Sequence, residues 1–416
     1  MTRVPFFFLL FTLGFVETSA QKTIPAIDIK PYGATELLWN LKALSTAPPF
    51  SWRDSTSSVR SLTYRSIPNA KKPTQIFAYY SNPDLLTGQK TGRKFPGIVL
   101  VHGGGGKAFK EWVEKWAADG YAAIAMDLGG KGADGKFLEN AGPDQTHEEK
   151  FTATDKGDLR DVWSYHAVAS VILAHSLLLN RPEVDPARTA LTGISWGGYL
   201  TCLVASLDNR FKAAVPVYGC GFYAESDVFG EDIAKLSPNA AEKWMKYFDP
   251  SSYLPYVRVP LLFMNGNKDR FYNVVPYDKT YDLPQKTEKN ICYAPDMAHS
   301  HYHGWQPIEI RYFVESKLNG GVPLPKLEPV KKNGAAVTTT YDAPVGLRGA
   351  RFYYASDTVS ANKDRAWKDV EVEIDPERST LTARATEPNF AYGFFYVTDH
   401  RGVSVSSPIW VKGEQN

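Results

Sequence analysis

Gly193-Ile194-Ser195-Trp196-Gly197 sets a serine between two glycines, where an apolar run at residues 189–194 gives way to a helical pattern at 197–206. A serine on so tight a strand-to-helix turn is held in strained backbone with its hydroxyl exposed, and the glycines remove side chains that would collide. Gly198 adds further room for close packing. A serine hydroxyl is a weak nucleophile until a base takes its proton. The chain must therefore supply a histidine and an acid to orient it.

Three histidines crowd after the last expected core strand: His299, His301 and His303. His299 comes first after the strand end Cys292-Tyr293 and the turn Pro295-Asp296, between two small residues, Ala298 and Ser300. That context lets a loop carry the imidazole over Ser195, and His301 and His303 read as rim residues. The His-x-His-x-His spacing is also ligand-like, since residues two apart on a strand face the same way. Pro295 ends the strand, however, and no Asp, Glu or Cys pattern completes a site, so neither a metal nor a cofactor is expected. The acid should end the preceding core strand. Asp269 follows 261–266 in the loop, where a carboxylate can accept the other imidazole N–H and fix the tautomer. Asp278 and Asp282 are fallbacks farther along an expected helix.

Acyl transfer also needs donors for a developing oxyanion. His102-Gly103-Gly104-Gly105-Gly106 follows a buried strand at 97–101. Its backbone N–H groups can face an oxyanion without side-chain interference, with the Trp196 N–H as one donor and Gly103 or Gly104 as the other. The run lacks the Lys-Ser/Thr of a phosphate-binding loop. Asp127 ends its own strand and reads as structural. Trp196, Tyr218 and Phe222 are candidates for the walls of a short aromatic substrate pocket.

These residues need a scaffold that delivers them to one edge. Strand patterns at 76–80, 97–101, 122–128, 189–194, 213–218, 260–265 and 290–293 alternate with helical ones at 107–118, 197–206 and 306–318, and with a long helix capped by Asp158. Such alternation implies a mainly parallel, doubly wound α/β sheet. A loop at 129–157 and an insertion at 221–250 can roof the site. Residues 21–75 form an approach segment, with a helical spread of leucines at 35–44, and 76–319 form the catalytic unit. Pro- and Gly-rich residues 320–333 make a linker. Residues 334–416 show short Tyr-, Phe-, Val- and Thr-rich strands, expected to form a small all-β sandwich of immunoglobulin or fibronectin type. Its expected role is packing against the catalytic unit, with glycan binding as the alternative.

Residues 1–20 have a short positive start at Arg3, an apolar run at 4–16 and the small residues Thr18-Ser19-Ala20, which reads as a cleaved signal peptide. A secreted or periplasmic location is expected, with no stable membrane span after cleavage. The 416 residues carry 43% hydrophobic and 22% charged residues and a formal net charge of +2. That size suits two domains, and the balance offers no field to attract nucleic acid. The three cysteines make no disulfide framework; a Cys202–Cys220 bridge is an option, buried free thiols the expectation.

Residues 76–318 resemble the branch of α/β hydrolases that groups dienelactone hydrolases, acetyl xylan esterases and the catalytic domain of prolyl oligopeptidases. The resemblance rests on Val101-His102-Gly103-Gly104-Gly105-Gly106, on 185–198 ending in Gly193-Ile194-Ser195-Trp196-Gly197-Gly198, on Gly266-Asn267-Lys268-Asp269, and on Ala298-His299. It implies an α/β-hydrolase fold and the order Ser195, Asp269, His299 that this fold uses. The sequence departs from the family in three ways: Ala298 stands where the family often has glycine, the long propeller of the oligopeptidases is absent, and glycines follow His102. The last two lean toward an esterase. The expected substrate is a small ester or acylated carbohydrate, cleaved through an acyl-serine. A serine peptidase of prolyl oligopeptidase type is the alternative, and a non-catalytic binding protein is a third reading.

Overall fold

The structure, a computed structural model, describes residues 24–32 and 37–413. The expected signal peptide and the first residues of the helix expected at 35–44 lie outside these; of residues 37–44 only Leu41–Leu44 is helical. The first sheet has nine strands: β1 (Phe50–Asp54), β2 (Arg60–Asn69), β3 (Lys72–Ser81), β4 (Phe95–Val101), β5 (Ala122–Met126), β6 (Val184–Ile194), β7 (Ala213–Val217), β8 (Leu261–Gly266) and β9 (Lys289–Ala294). They lie in the order β1-β2-β3-β5-β4-β6-β7-β8-β9. The first three are antiparallel, and β3 joins β5 antiparallel. From β5 onward every pairing is parallel. Strands β4, β5, β7 and β8 are buried at every residue. Near-continuous apolar runs of this kind suit strands covered on both faces by crossover helices. The helices Lys110–Ala118, Trp163–Asn180, Trp196–Leu207 and Ile308–Leu318 supply that cover.

Two segments differ from the pattern expected of their sequence. The long helix begins at Trp163 rather than at Asp158, whose side chain accepts the Arg160 N–H at 2.9 Å and caps only the short 3-10 turn Leu159–Asp161. The 129–157 segment is not all loop: it contains a π-helical turn, Glu148–Thr152, and a short helix, Ala153–Lys156.

The C-terminal unit contains β10 (Lys326–Leu327), β11 (Lys331–Asn333), β12 (Ala336–Asp342), β13 (Leu347–Ala355), β14 (Lys368–Asp375), β15 (Thr380–Arg384), β16 (Tyr392–Asp399), β17 (Ser404–Ser406) and β18 (Trp410–Val411). All its pairings are antiparallel. The expected all-β character is present. The separate sheets of an immunoglobulin- or fibronectin-like sandwich are not specifically reproduced, because β14 pairs through Glu371 and its predecessors with β13 and through Val372 and its successors with β15. One strand thus serves both halves and makes a continuous path from β10 to β17. This unit sits on the β9 edge of the first sheet. The Tyr293 N–H donates to Ser406 Oγ at 2.9 Å, and Asn290 Nδ2 donates to the Pro325 carbonyl at 2.7 Å. An otherwise open strand edge is covered in this way. Cys202, Cys220 and Cys292 are all free and buried.

Candidate active site

In an open parallel sheet, functional residues gather beyond the carboxyl ends of the strands. The glycine run follows β4, Ser195 follows β6, Asp269 follows β8 and His299 follows β9. Ser195 has φ 60° and ψ −118°, a left-handed conformation that costs a side-chain-bearing residue energy. The turn is held by the Ser195 N–H, which donates to the Val217 carbonyl at 2.9 Å. The flanking glycines are sterically required. A Cβ on Gly193 would lie 2.2 Å from the Gly197 carbonyl oxygen, and one on Gly197 would lie 2.1 Å from that of Val101.

His299 Nε2 lies 2.9 Å from Ser195 Oγ, and its Nδ1 lies 3.0 Å from Asp269 Oδ2. Asp269 is fully buried. Its other oxygen accepts the N–H groups of Phe271 at 2.7 Å and Tyr272 at 3.2 Å. With Oδ1 so occupied, Oδ2 is presented to the imidazole, which places the proton on Nδ1 and leaves the Nε2 lone pair for the serine hydroxyl. The fallback acids are elsewhere: Asp278 accepts the Ile409 N–H at 3.1 Å, and Asp282 ends the Val274–Asp282 helix.

The glycine run is fixed by two neutral imidazoles. His102 bonds the Gly103 carbonyl through Nδ1 at 2.7 Å and accepts the Leu128 N–H at Nε2 at 2.9 Å. Burial pushes its pKa down to about 4. His301 is not a rim residue. The helix His301–Trp305, capped by Ser300, turns it back onto the glycines, and its Nε2 accepts the Gly103 N–H at 3.0 Å. Burial, with His102 and His299 adding to it, pushes its pKa down to about 4 as well. This corrects the expected donor set, because the Gly103 N–H is already engaged. Gly104 borders the cavity beside Trp196, and Trp196, as the first residue of its helix, has an N–H with no intrahelical acceptor. His303 is exposed and bonds Ser300 Oγ through Nδ1 at 2.7 Å. The three histidines therefore face three different partners, and no cluster of three or more potential metal ligands occurs among the described residues.

A cavity of about 440 Å³ opens over Ser195 and His299. Its aromatic walls are Trp196, Phe229 and Phe271. The Trp196 ring is 7% exposed and edge-packed by Phe229, Trp163 and Phe151 at 5.4, 5.7 and 5.8 Å between centroids. Tyr218 and Phe222 do not line the cavity. Both have positive φ, 66° and 58°, so the chain turns sharply at each. Tyr218 is buried behind His299, ring centroids 4.3 Å apart, and its hydroxyl donates to the Ala298 carbonyl at 2.8 Å. The Phe222 ring lies under the Lys279 ammonium instead. Asp127 accepts the Gly129 and Lys131 N–H groups at 3.0 and 2.7 Å and ties the start of the 129–157 segment. Arg270, also on the cavity wall, belongs to none of the sequence motifs; it directly follows Asp269.

Residues 35–228 match the family model described as acetyl xylan esterase (AXE1). A Bacillus subtilis (strain 168) protein described as uncharacterized peptidase YuxL is 29% identical over 213 residues, 47% of this chain. The match spans 28% of that relative's length. Acetyl xylan esterase 1 from Thermoanaerobacterium sp. JW/SL YS485 superposes with a TM-score of 0.50 and 20% identity, over 65% of this chain and 89% of that one. The acylaminoacyl peptidase of Pyrococcus horikoshii gives a TM-score of 0.47 and 22% identity, over 64% of this chain and 42% of that one. With its parallel sheet, its strained serine turn and the family match over 35–228, this chain has the α/β-hydrolase fold and resembles the acetyl xylan esterases.

Proposed function

We propose that this chain hydrolyses carboxylic esters through an acyl-serine intermediate. The observation that carries the reading is the unbroken line from Ser195 Oγ to His299 to Asp269. His299 Nε2 takes the hydroxyl proton as Oγ bonds to the ester carbonyl carbon, and Asp269 stabilises the resulting imidazolium. The carbonyl oxygen becomes an oxyanion facing the N–H groups of Trp196 and Gly104. On collapse, the ester C–O bond breaks and His299 returns the proton to the departing alcohol oxygen. Water, deprotonated by the same nitrogen, then attacks the acyl-serine and releases the acid.

Within that class the substrate is an acetylated carbohydrate. The similarity to acetyl xylan esterases and the aromatic walls of the cavity support this. Export belongs to the same proposal and rests on the apolar run at residues 4–16. A serine peptidase is the second reading, favoured by the Bacillus subtilis relative. Turnover of nitrophenyl acetate beside aminoacyl anilides separates the two. Ester hydrolysis without anilide hydrolysis is expected, and preference for the anilide supports the peptidase.

A further inference from the structure

Lys150 lies in the π-helical turn Glu148–Thr152 and is only 7% exposed. Its Nζ sits 4.4 Å from the centroid of the Trp196 ring and 5.3 Å from that of Trp163. A Cβ on Gly104 would come within 3.6 Å of the same nitrogen. The ammonium is thus beside both residues whose N–H groups face the proposed oxyanion. No ion pair to it occurs among the described residues; Asp144, in the preceding loop, acts on it only at longer range. The backbone is pinned: the Lys150 carbonyl accepts the Trp244 indole N–H at 2.8 Å, and the Phe151 ring stacks on Trp244 at 5.3 Å.

Burying a lysine without a carboxylate partner is costly, and aromatic faces offset only part of that cost. Inserted π-helical turns occur often at functional sites. We infer that Lys150 is a positioning residue of the ester-hydrolase site: its ammonium is a fixed positive charge behind the Trp196 and Gly104 donors, and it favours the tetrahedral oxyanion over the neutral ester. Attraction across a short, largely dry path is weakly screened, so contact with the oxyanion is not required. Burial lowers the ammonium pKa to about 8, so it is charged at neutral pH and discharges above that. The charged and titratable groups that act on it are Asp144 and His102, and His102 is held neutral throughout this range. The facing indoles of Trp163 and Trp196 do not titrate.

The inference rests on the proposed ester hydrolysis and is tested on the full chain with nitrophenyl acetate from pH 6 to 10. Lys150→Met keeps the aliphatic stem against the rings and removes the charge. It should lower kcat by about 10- to 100-fold with KM changed less than about twofold, as for a group that acts in the transition state. Wild-type kcat/KM should fall above about pH 8, and that limb should be missing from the variant. Lys150→Gln and the wild-type profile serve if the methionine variant does not fold. A folded variant with wild-type kcat and an intact alkaline limb, or a wild-type rate level to pH 10, overturns the inference. A wild type that fails to hydrolyse the ester at all instead removes the ester-hydrolase reading beneath it.

Discussion

Asn362, in the C-terminal unit, donates through Nδ2 to the backbone carbonyl of Asp269 at 3.0 Å. The contact is built rather than incidental. Asn362 is 3% exposed, and its Oδ1 accepts from Arg365 Nη1 at 2.9 Å. Lys268, the neighbour of Asp269, donates to the Arg365 carbonyl at 2.9 Å. The second unit thus holds the loop that carries the acid, and its part in the molecule extends beyond covering the β9 edge. A small displacement of a positioning group can cost about 100-fold in rate. Asn362→Ala should therefore lower kcat by roughly 10- to 100-fold with little change in KM. Steady-state kinetics beside a melting curve check this; wild-type turnover in a folded variant would leave the unit a purely structural role.

The histidines should separate by role. His299→Ala removes the group in contact with Ser195 Oγ and should cost on the order of a thousand-fold or more in kcat. His301→Ala leaves that contact in place but frees the Gly103 N–H and loosens the glycine run, which should cost roughly 10- to 100-fold. Equal losses in the two variants would contradict this division.

His102 and His301 also predict an acid limit on stability. Each has its pKa lowered from 6.5 to about 4 in the folded chain. The unfolded chain takes up these protons below about pH 6.5, and the folded chain only near pH 4. Their contribution is therefore complete above the unfolded value and is lost as pH falls through the folded one. Tm should drop between pH 6.5 and 4, and less steeply in His301→Asn. An equal slope in wild type and variant would show that His301 is not one of the groups responsible.

The cavity walls are expected to limit acyl length. Trp196, Phe229 and Phe271 stand among the walls of the cavity of about 440 Å³ above the serine, and the Trp196 ring is locked by its aromatic neighbours. Each methylene that does not fit costs about 1–3 kcal/mol, or roughly 10–200-fold. kcat/KM for nitrophenyl acetate should exceed that for the octanoate, and a steady rise from acetyl to octanoyl would contradict a short pocket.

Residues placed directly after a core strand are legible in the sequence, and residues placed by a turn or by a distant unit are hidden in it. Ser195, Asp269 and His299 each come just after an apolar run that reads as a core strand, so their meeting at one edge of the sheet is legible. Tyr218 and Phe222 also come after a strand, but their positive φ values have no glycine to announce them, and the rings turn away. Phe229 and Phe271 reach the cavity from loops, where periodicity says nothing about direction. His301 reads as peripheral because only the helix capped by Ser300 folds it back onto Gly103. Strands β1 and β2 are hidden within the approach segment: β1 alternates half-buried and exposed residues, and the β2–β3 turn at Ala70 and Lys71 takes positive φ without glycine. Nothing local marks Asn362, since its partner is 93 residues away in the chain.

Fluorophosphonate labelling of wild type and Ser195→Ala shows whether Ser195 is the nucleophile. The substitution removes one hydroxyl from a turn held by backbone hydrogen bonds, so the variant should fold. Wild type should gain one covalent phosphonyl group on the peptide containing Ser195, and the variant should gain none and hydrolyse no ester. Labelling that persists in a folded Ser195→Ala protein, or ester turnover that survives the substitution, would assign the nucleophile to another residue.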